Sequence, residues 1–346
     1  MTYYKMVYKS IFKGRLEFGS PRSYDKVLKM YQHRLENYYK SDVLLEEEDI
    51  FNEETSSLIV PRTVIPQGSE KSWRNTMDIL EYVAQFAVSG NLGGWMTEEG
   101  KILRHGIVEP KSERTAVQAF LKGRELSNSK GMEGEAMKAL NRAIDKYERH
   151  AQAYERRGHV NFLLKNYKDA LRDYSKSIEL ANSNAEPFYG RANVKLKLKD
   201  KEGAIADFAS AVKTSIPLEP IYWKARRQKG MTHVQLGQFK EAAPDFKFFC
   251  NRKFKPDNPN FKWRRAVWFE YGKVLVELEQ YEQAVAAFDE VLKLQEGNDK
   301  ISQADKVYYR SMALQKAGKR GYRKGLEEAV KLGSKDAVAL LKALKK

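Results

Sequence analysis

The residues best suited to chemistry in this sequence are cations. Between positions 221 and 265 the chain carries twelve Lys or Arg against three carboxylates, Glu241, Asp245 and Asp257. Trp223, Phe254, Phe261, Trp263 and Trp268 are interleaved with them. Lysine and arginine neutralise phosphates and carboxylates, and exposed aromatic rings stack on unpaired bases. Arg226, Lys229, Lys253, Lys255, Arg264 and Arg265 are therefore expected to form an anion-binding patch, if their charges meet on one side of the molecule. Against this stands the plainer reading, in which the aromatics are core and the charges are solvated helix faces.

Other chemistry is sparse. No Gly-rich phosphate loop, Gly-x-Ser-x-Gly or His-Glu-x-x-His motif occurs. The glycines of Ser89–Gly94 follow a helix-like segment, whereas a phosphate loop follows a strand and opens a helix, so this stretch reads as a helix cap and turn. The acidic run Glu46–Asp49 reads as a solvated face. Cys250 is the single cysteine, which excludes disulfides and Cys-based zinc sites; beside Phe248 and Phe249 it reads as a small core filler. The histidines at 33, 105, 150, 159 and 233 have no metal-ligand spacing. An enzyme is not expected, nor a cofactor, metal or small-molecule substrate. No run of 18 apolar residues could span a membrane, and the charged N-terminus does not read as a secretory signal, so the expected location is the cytoplasm.

The elements that must position the cations come from a repeat. The 346 residues have a net charge of +16, and the excess lies entirely beyond residue 110: residues 1–110 carry −2 and 111–346 carry +18. A period of 34 runs through Phe120, Tyr154 and Phe188, through Ala136, Ala170 and Ala204, through Leu140, Tyr174 and Phe208, and through Ala143, Ser177 and Ala211. Each unit reads as two amphipathic helices. A fourth unit follows at Gly230, Phe239, Ala242 and Phe246, and a fifth at Trp268, Gly272, Tyr281, Ala284 and Phe288. A sixth, weaker unit begins near Asp305, with Tyr308 in the large aromatic column. Pro244 should bend or shorten the second helix of the fourth unit, the insertion 250–265 separates units four and five, and Ser334 should open a capping helix.

This order of residues resembles the tetratricopeptide repeat family. Tyr154, Gly158, Tyr167, Ala170 and Tyr174 match its sequence of large aromatic, small, aromatic, alanine and aromatic, and Phe188, Ala192, Ala204, Phe208 and Ala211 match it again. The resemblance covers about residues 117–333 and implies a mainly α, right-handed helical-repeat solenoid of five to six helix pairs over 111–346. It also implies a non-enzymatic scaffold that binds an extended protein partner in a groove lined by first-helix residues. Carried onto this sequence, those are Glu155, His159, Tyr189, Asn193, Lys197, Lys224, Arg227 and Lys273. The later members are basic, which points to an acidic partner; the alternative is an RNA- or ribosome-associated protein using the 221–265 surface. One subclass of the family grips acidic chaperone tails with a carboxylate clamp. Its positions fall here on Leu121, Glu125, Arg156, Glu186 and Gly190, or one repeat later on Glu155, His159, Gly190, Lys224 and Gln228, and neither register matches.

Residues 1–110 do not repeat and resemble no family. They are expected to form a small α+β domain. Ser20 and Pro21 should open a helix with Val27, Leu28, Tyr31, Leu35 and Tyr38 on its apolar face. A second helix should end at Gly90 as a left-handed cap, and a hairpin should turn at Glu99–Gly100. Ser57–Ile65 and Tyr3–Tyr8 read as extended.

Overall fold

The computed structural model describes residues 8–294 and 299–344. The chain begins with β1 (Tyr8–Glu17), α1 (Pro21–Asn37), a single turn α2 (Glu47–Ile50), β2 (Phe51–Asn52), β3 (Ser57–Gly68), α3 (Glu70–Ala84) and the hairpin β4 (Ser89–Glu98) and β5 (Lys101–Val108). The expected strand at Tyr3–Tyr8 lies, but for Tyr8, outside the described residues. The five strands are antiparallel throughout, in the order β2-β3-β1-β4-β5. The first four strands and their two long helices have the split βαβ connectivity, to which β5 is added at one edge. Alternation along the strands sends Phe12, Leu16, Leu58, Val60, Leu92 and Met96 into one core with Val27 and Tyr31 of α1 and Ile79, Leu80 and Val83 of α3.

Ser20 caps α1 by accepting from the Ser23 N–H at 3.2 Å, with Pro21 at the first helical position. Tyr38, by contrast, is 65% exposed, and Tyr24 takes the core place one turn from Val27. The hairpin turns at Glu99 and Gly100, both at positive φ as a two-residue turn requires. Two readings are corrected. The second helix ends at Ala84, and Gly90 is not its cap. Ser89–Gly94 is strand rather than cap and turn, pairing along β1 from Glu17 to Phe12. Gly90 is required there because a Cβ would lie 2.1 Å from the Arg15 carbonyl oxygen across the ladder. Its glycines answer to close approach across a sheet, which a linear reading does not reveal.

Helices follow: α4 (Thr115–Leu126), α5 (Glu133–Lys146), α6 (Ala151–Leu163), α7 (Tyr167–Leu180) and α8 (Ala185–Lys197), then α9 (Lys201–Thr214), α10 (Pro220–Gln235), α11 (Phe239–Cys250), α12 (Arg264–Glu277), α13 (Tyr281–Lys293), α14 (Gln303–Lys316), α15 (Tyr322–Lys331) and α16 (Lys335–Ala343). The chain divides into two compact units, Met1–Leu198 and Lys199–Lys346. In the first, the sheet is tied to the helices that follow it. The Tyr147 hydroxyl donates to Glu17 at 3.2 Å, the Gly90 N–H donates to Gln152 Oε1 at 2.9 Å, and Arg124 makes a two-pronged pair with Glu109 at 2.7 and 3.0 Å.

Packing inside each unit follows the repeat columns. Gly158 and Gly190 both lie against the ring of Tyr174, Gly230 against Phe246 and Gly272 against Phe288. Ala136, Ala170, Ala204, Ala242 and Ala284 are fully buried. α11 runs unbroken through Pro244 but is 12 residues long, against 14 for α7. Phe254 of the insertion is buried against Trp223 and Phe249, with ring centroids 5.4 and 4.9 Å away. Ser334 caps α16 by accepting from the Ala337 N–H at 3.2 Å. Among the described residues, no helix is long and apolar enough to cross a membrane, and no group of three or more His, Cys, Asp or Glu is placed to hold a metal ion.

Candidate ligand-binding faces

In the first unit the expected groove residues sit on α6 and α8. Glu155 is buried, and burial pushes its carboxyl up to about 7 despite Arg156, whose Nε lies 3.1 Å away. His159, one turn on, is half-buried and held below its ordinary value by desolvation and by Arg156. Tyr189 and Asn193 are half-buried, and the Asn193 amide donates to the Tyr189 carbonyl at 2.7 Å. Lys197 is exposed. This face therefore offers an amide, a ring and an imidazole, with Glu155 as a recessed acid rather than a presented charge.

Glu155 has a consequence for stability. Its pKa is raised on folding, so its contribution is fully present below the unfolded value near 4.5 and is lost as pH rises through about 7. His150 acts oppositely: burial pushes it down to about 3, so its contribution is present above about 6.5 and is lost as pH falls. The difference between Glu155→Gln and the parent isolates the carboxylate. The variant should gain on the order of 1–2 kcal/mol relative to the parent between pH 5 and 8. Urea unfolding curves at stepped pH measure this, and a constant difference would show that Glu155 ionises as freely folded as unfolded.

In the second unit the first helices α10, α12 and α14 form a face of cations laid on rings. The Arg227 guanidinium lies 4.0 Å from the Trp263 ring centre. The Lys273 ammonium lies 5.9 Å from both Phe269 and Tyr309, whose rings meet edge to face at 5.2 Å. Lys224 is half-buried one turn before Arg227. Glu270 pairs with Lys273 at 3.2 Å. Trp263 was expected only among the aromatics of the anion patch, and Phe269 and Tyr309 not at all, yet for these two the signal existed. Phe269 follows Trp268, and Tyr309 follows Tyr308, as Glu155 follows Tyr154 and Tyr189 follows Phe188.

The expected six-residue anion patch does not assemble. Arg226 and Lys229 both turn to the buried carboxylate of Asp245, at 2.7 and 3.0 Å. Arg265 is 4% exposed and binds Asp299 through two nitrogens, at 2.7 and 3.0 Å. These three cations neutralise interior acids, since a buried carboxylate left alone would forfeit its hydration. Arg264 is half-buried over Phe261, 3.5 Å from its ring centre, and Lys253 and Lys255 are exposed on the insertion.

Sequence profiles described as tetratricopeptide repeat match residues 134–185 and 266–298, each spanning helices whose glycine, alanine and aromatic contacts are those above. Residues 134–185 and 266–298 are tetratricopeptide repeats. Among solved structures, YrrB, titled a TPR protein with an unusual peptide-binding site, aligns with a TM-score of 0.50 at 22% identity, covering 61% of this chain and 100% of that one. PilF from Pseudomonas aeruginosa aligns with a TM-score of 0.47 at 16% identity, covering 66% and 97%. No curated protein matches the sequence. The likeness to YrrB concerns the fold of the tetratricopeptide array; the chemistry must be read from the faces themselves.

Proposed function

We propose that the protein is a non-enzymatic interaction scaffold whose second tetratricopeptide unit binds a carboxylate-bearing segment of a partner protein along α10, α12 and α14. The observation that carries this reading is the Arg227 guanidinium 4.0 Å from the Trp263 ring centre and the Lys273 ammonium 5.9 Å from those of Phe269 and Tyr309. A guanidinium held by its flat side against a ring keeps its position at low entropic cost and recognises carboxylates through its N–H edge, while the Lys273 ammonium beside two rings acts as a point charge. Glu270 already sits on Lys273 as a ligand carboxylate would. The excess of +18 over residues 111–346 would steer such a partner inward. A cytoplasmic location remains part of this proposal.

The nucleic-acid alternative keeps Lys253, Lys255 and Arg264 but loses Arg226, Lys229 and Arg265 to internal acids. The reading is tested by fluorescence anisotropy with a labelled poly-Glu/Asp peptide. Arg227→Glu with Lys273→Glu should weaken binding at least about tenfold, while Glu270→Gln should strengthen it. Equal affinities for all three proteins would remove the proposed face.

A further inference from the structure

A second recess lies in the same unit, lined by none of the first-helix residues above. It has a volume of about 700 Å3 and is walled by Lys240, Pro244, Lys247 and Phe248 of α11, by Tyr271 of α12 and by Leu278 just past that helix's end. Phe248 is 57% exposed, held on one side by the Arg226 guanidinium at 4.6 Å. Repeat packing does not ask for it. Counted from the core column Leu140, Tyr174, Phe208, Phe246 and Phe288 of the second helices, the positions equivalent to Phe248 hold Arg142, Lys176, Ser210 and Glu290. The positions equivalent to Pro244 hold Lys138, Arg172, Ala206 and Ala286. The fourth repeat alone departs at both, placing a bare ring and a helix-breaking proline in solvent beside one recess. A proline inside a helix forfeits a hydrogen bond and crowds the carbonyl four residues back. Both choices work against stability and solubility, and both open onto the same cleft.

The charged side chains lining the cleft have one sign. Among the described residues no carboxylate lines it, whereas exposed Lys240 and Lys247 do. Gln280, which also borders it, opens α13 without a side-chain cap bond, so the first-turn N–H groups of that helix add positive potential. An apolar wall, a ring edge and cations on the rim complement a large apolar side chain flanked by acids.

We propose that this cleft is a second docking site, taking from a partner protein a short segment in which one large apolar residue is bracketed by Asp or Glu. It is independent of the first-helix face, and the two can fail separately. The probe is the labelled peptide Glu-Asp-Trp-Leu-Asp-Glu, capped at both ends and titrated against the full chain by anisotropy. Phe248→Lys, which installs the residue of the second repeat at a solvent-exposed position, should weaken binding about tenfold with an unchanged melting temperature. Lys240→Glu with Lys247→Glu should do the same, as should replacing the peptide Trp by Ser. Arg227→Glu with Lys273→Glu should leave this peptide bound. Affinity indifferent to Phe248→Lys, or lost instead in the Arg227/Lys273 variant, would overturn the proposal. So would sedimentation showing that Phe248→Lys dissolves a self-associated form, since the cleft would then hold a second copy.

Discussion

Arg265→Met is expected to destabilise the second unit by about 3–5 kcal/mol, because it leaves the Asp299 carboxylate buried without its counter-charge. The two side chains are 4% and 6% exposed and joined through two guanidinium nitrogens; the Ile301 N–H also donates to Asp299, at 3.3 Å, but one amide does not replace a full counter-charge. Removing both members should be far milder, and Arg265→Met with Asp299→Leu should recover most of the loss. Lys253→Met and Lys255→Met, on the exposed insertion, should shift stability by no more than about 0.5 kcal/mol. Denaturant unfolding of the four proteins separates these outcomes. A cost below about 1 kcal/mol for Arg265→Met would mean that the arginine is solvated and available to a ligand.

The second large effect is expected at Gly190. A Cβ there would lie 2.3 Å from the Tyr174 ring and 2.7 Å from its hydroxyl, and Tyr174 is only 3% exposed, with little room to yield. Gly190→Leu should therefore cost about 3 kcal/mol or more, at the upper end of overpacking penalties. Gly158→Leu, whose Cβ would meet the other part of the same ring at 3.1 Å, should cost somewhat less. Gly134, on α5 with nothing within 4 Å, is the control: Gly134→Ala should be neutral or stabilising by up to about 1 kcal/mol. Thermal melts rank the three. A Gly190→Leu protein that melts with the parent would deny that Tyr174 fills the space between α7 and α8.

The repeat was legible because close packing between helices constrains residue size at fixed intervals. Ala136, Ala170 and Ala204 recur at 34 residues and are all fully buried. The fate of Lys229 was also written in the columns. It occupies the place of Arg157, Asp245 that of Asp173, and Arg157 binds Asp173 at 2.7 Å just as Lys229 binds Asp245 at 3.0 Å. A count of net charge along the chain cannot register such pairs, since it treats every lysine as solvated. Arg265 was harder to foresee, because Asp299 lies 34 residues away and outside the helical columns. The N-terminal sheet was the least legible part. Gly90, Gly93 and Gly94 of β4 suit contacts with β1 and with the side chains of Trp95 and Met77, which only the folded register brings together.

The central claim is that the charge binding the carboxylate-bearing segment lies on the first-helix face of the second unit and not on the insertion. The measurement that tests it most directly is a paired titration, at low and moderate salt, of a poly-Glu/Asp peptide and a single-stranded RNA. Three proteins are compared: the parent, Arg227→Glu with Lys273→Glu, and Lys253→Glu with Lys255→Glu. The account predicts that the peptide binds the parent and the insertion variant alike, is lost from the Arg227/Lys273 variant, and is not displaced by the RNA. Tight RNA binding that falls steeply with salt and disappears in the Lys253/Lys255 variant, with no peptide binding to any of the three, would contradict it.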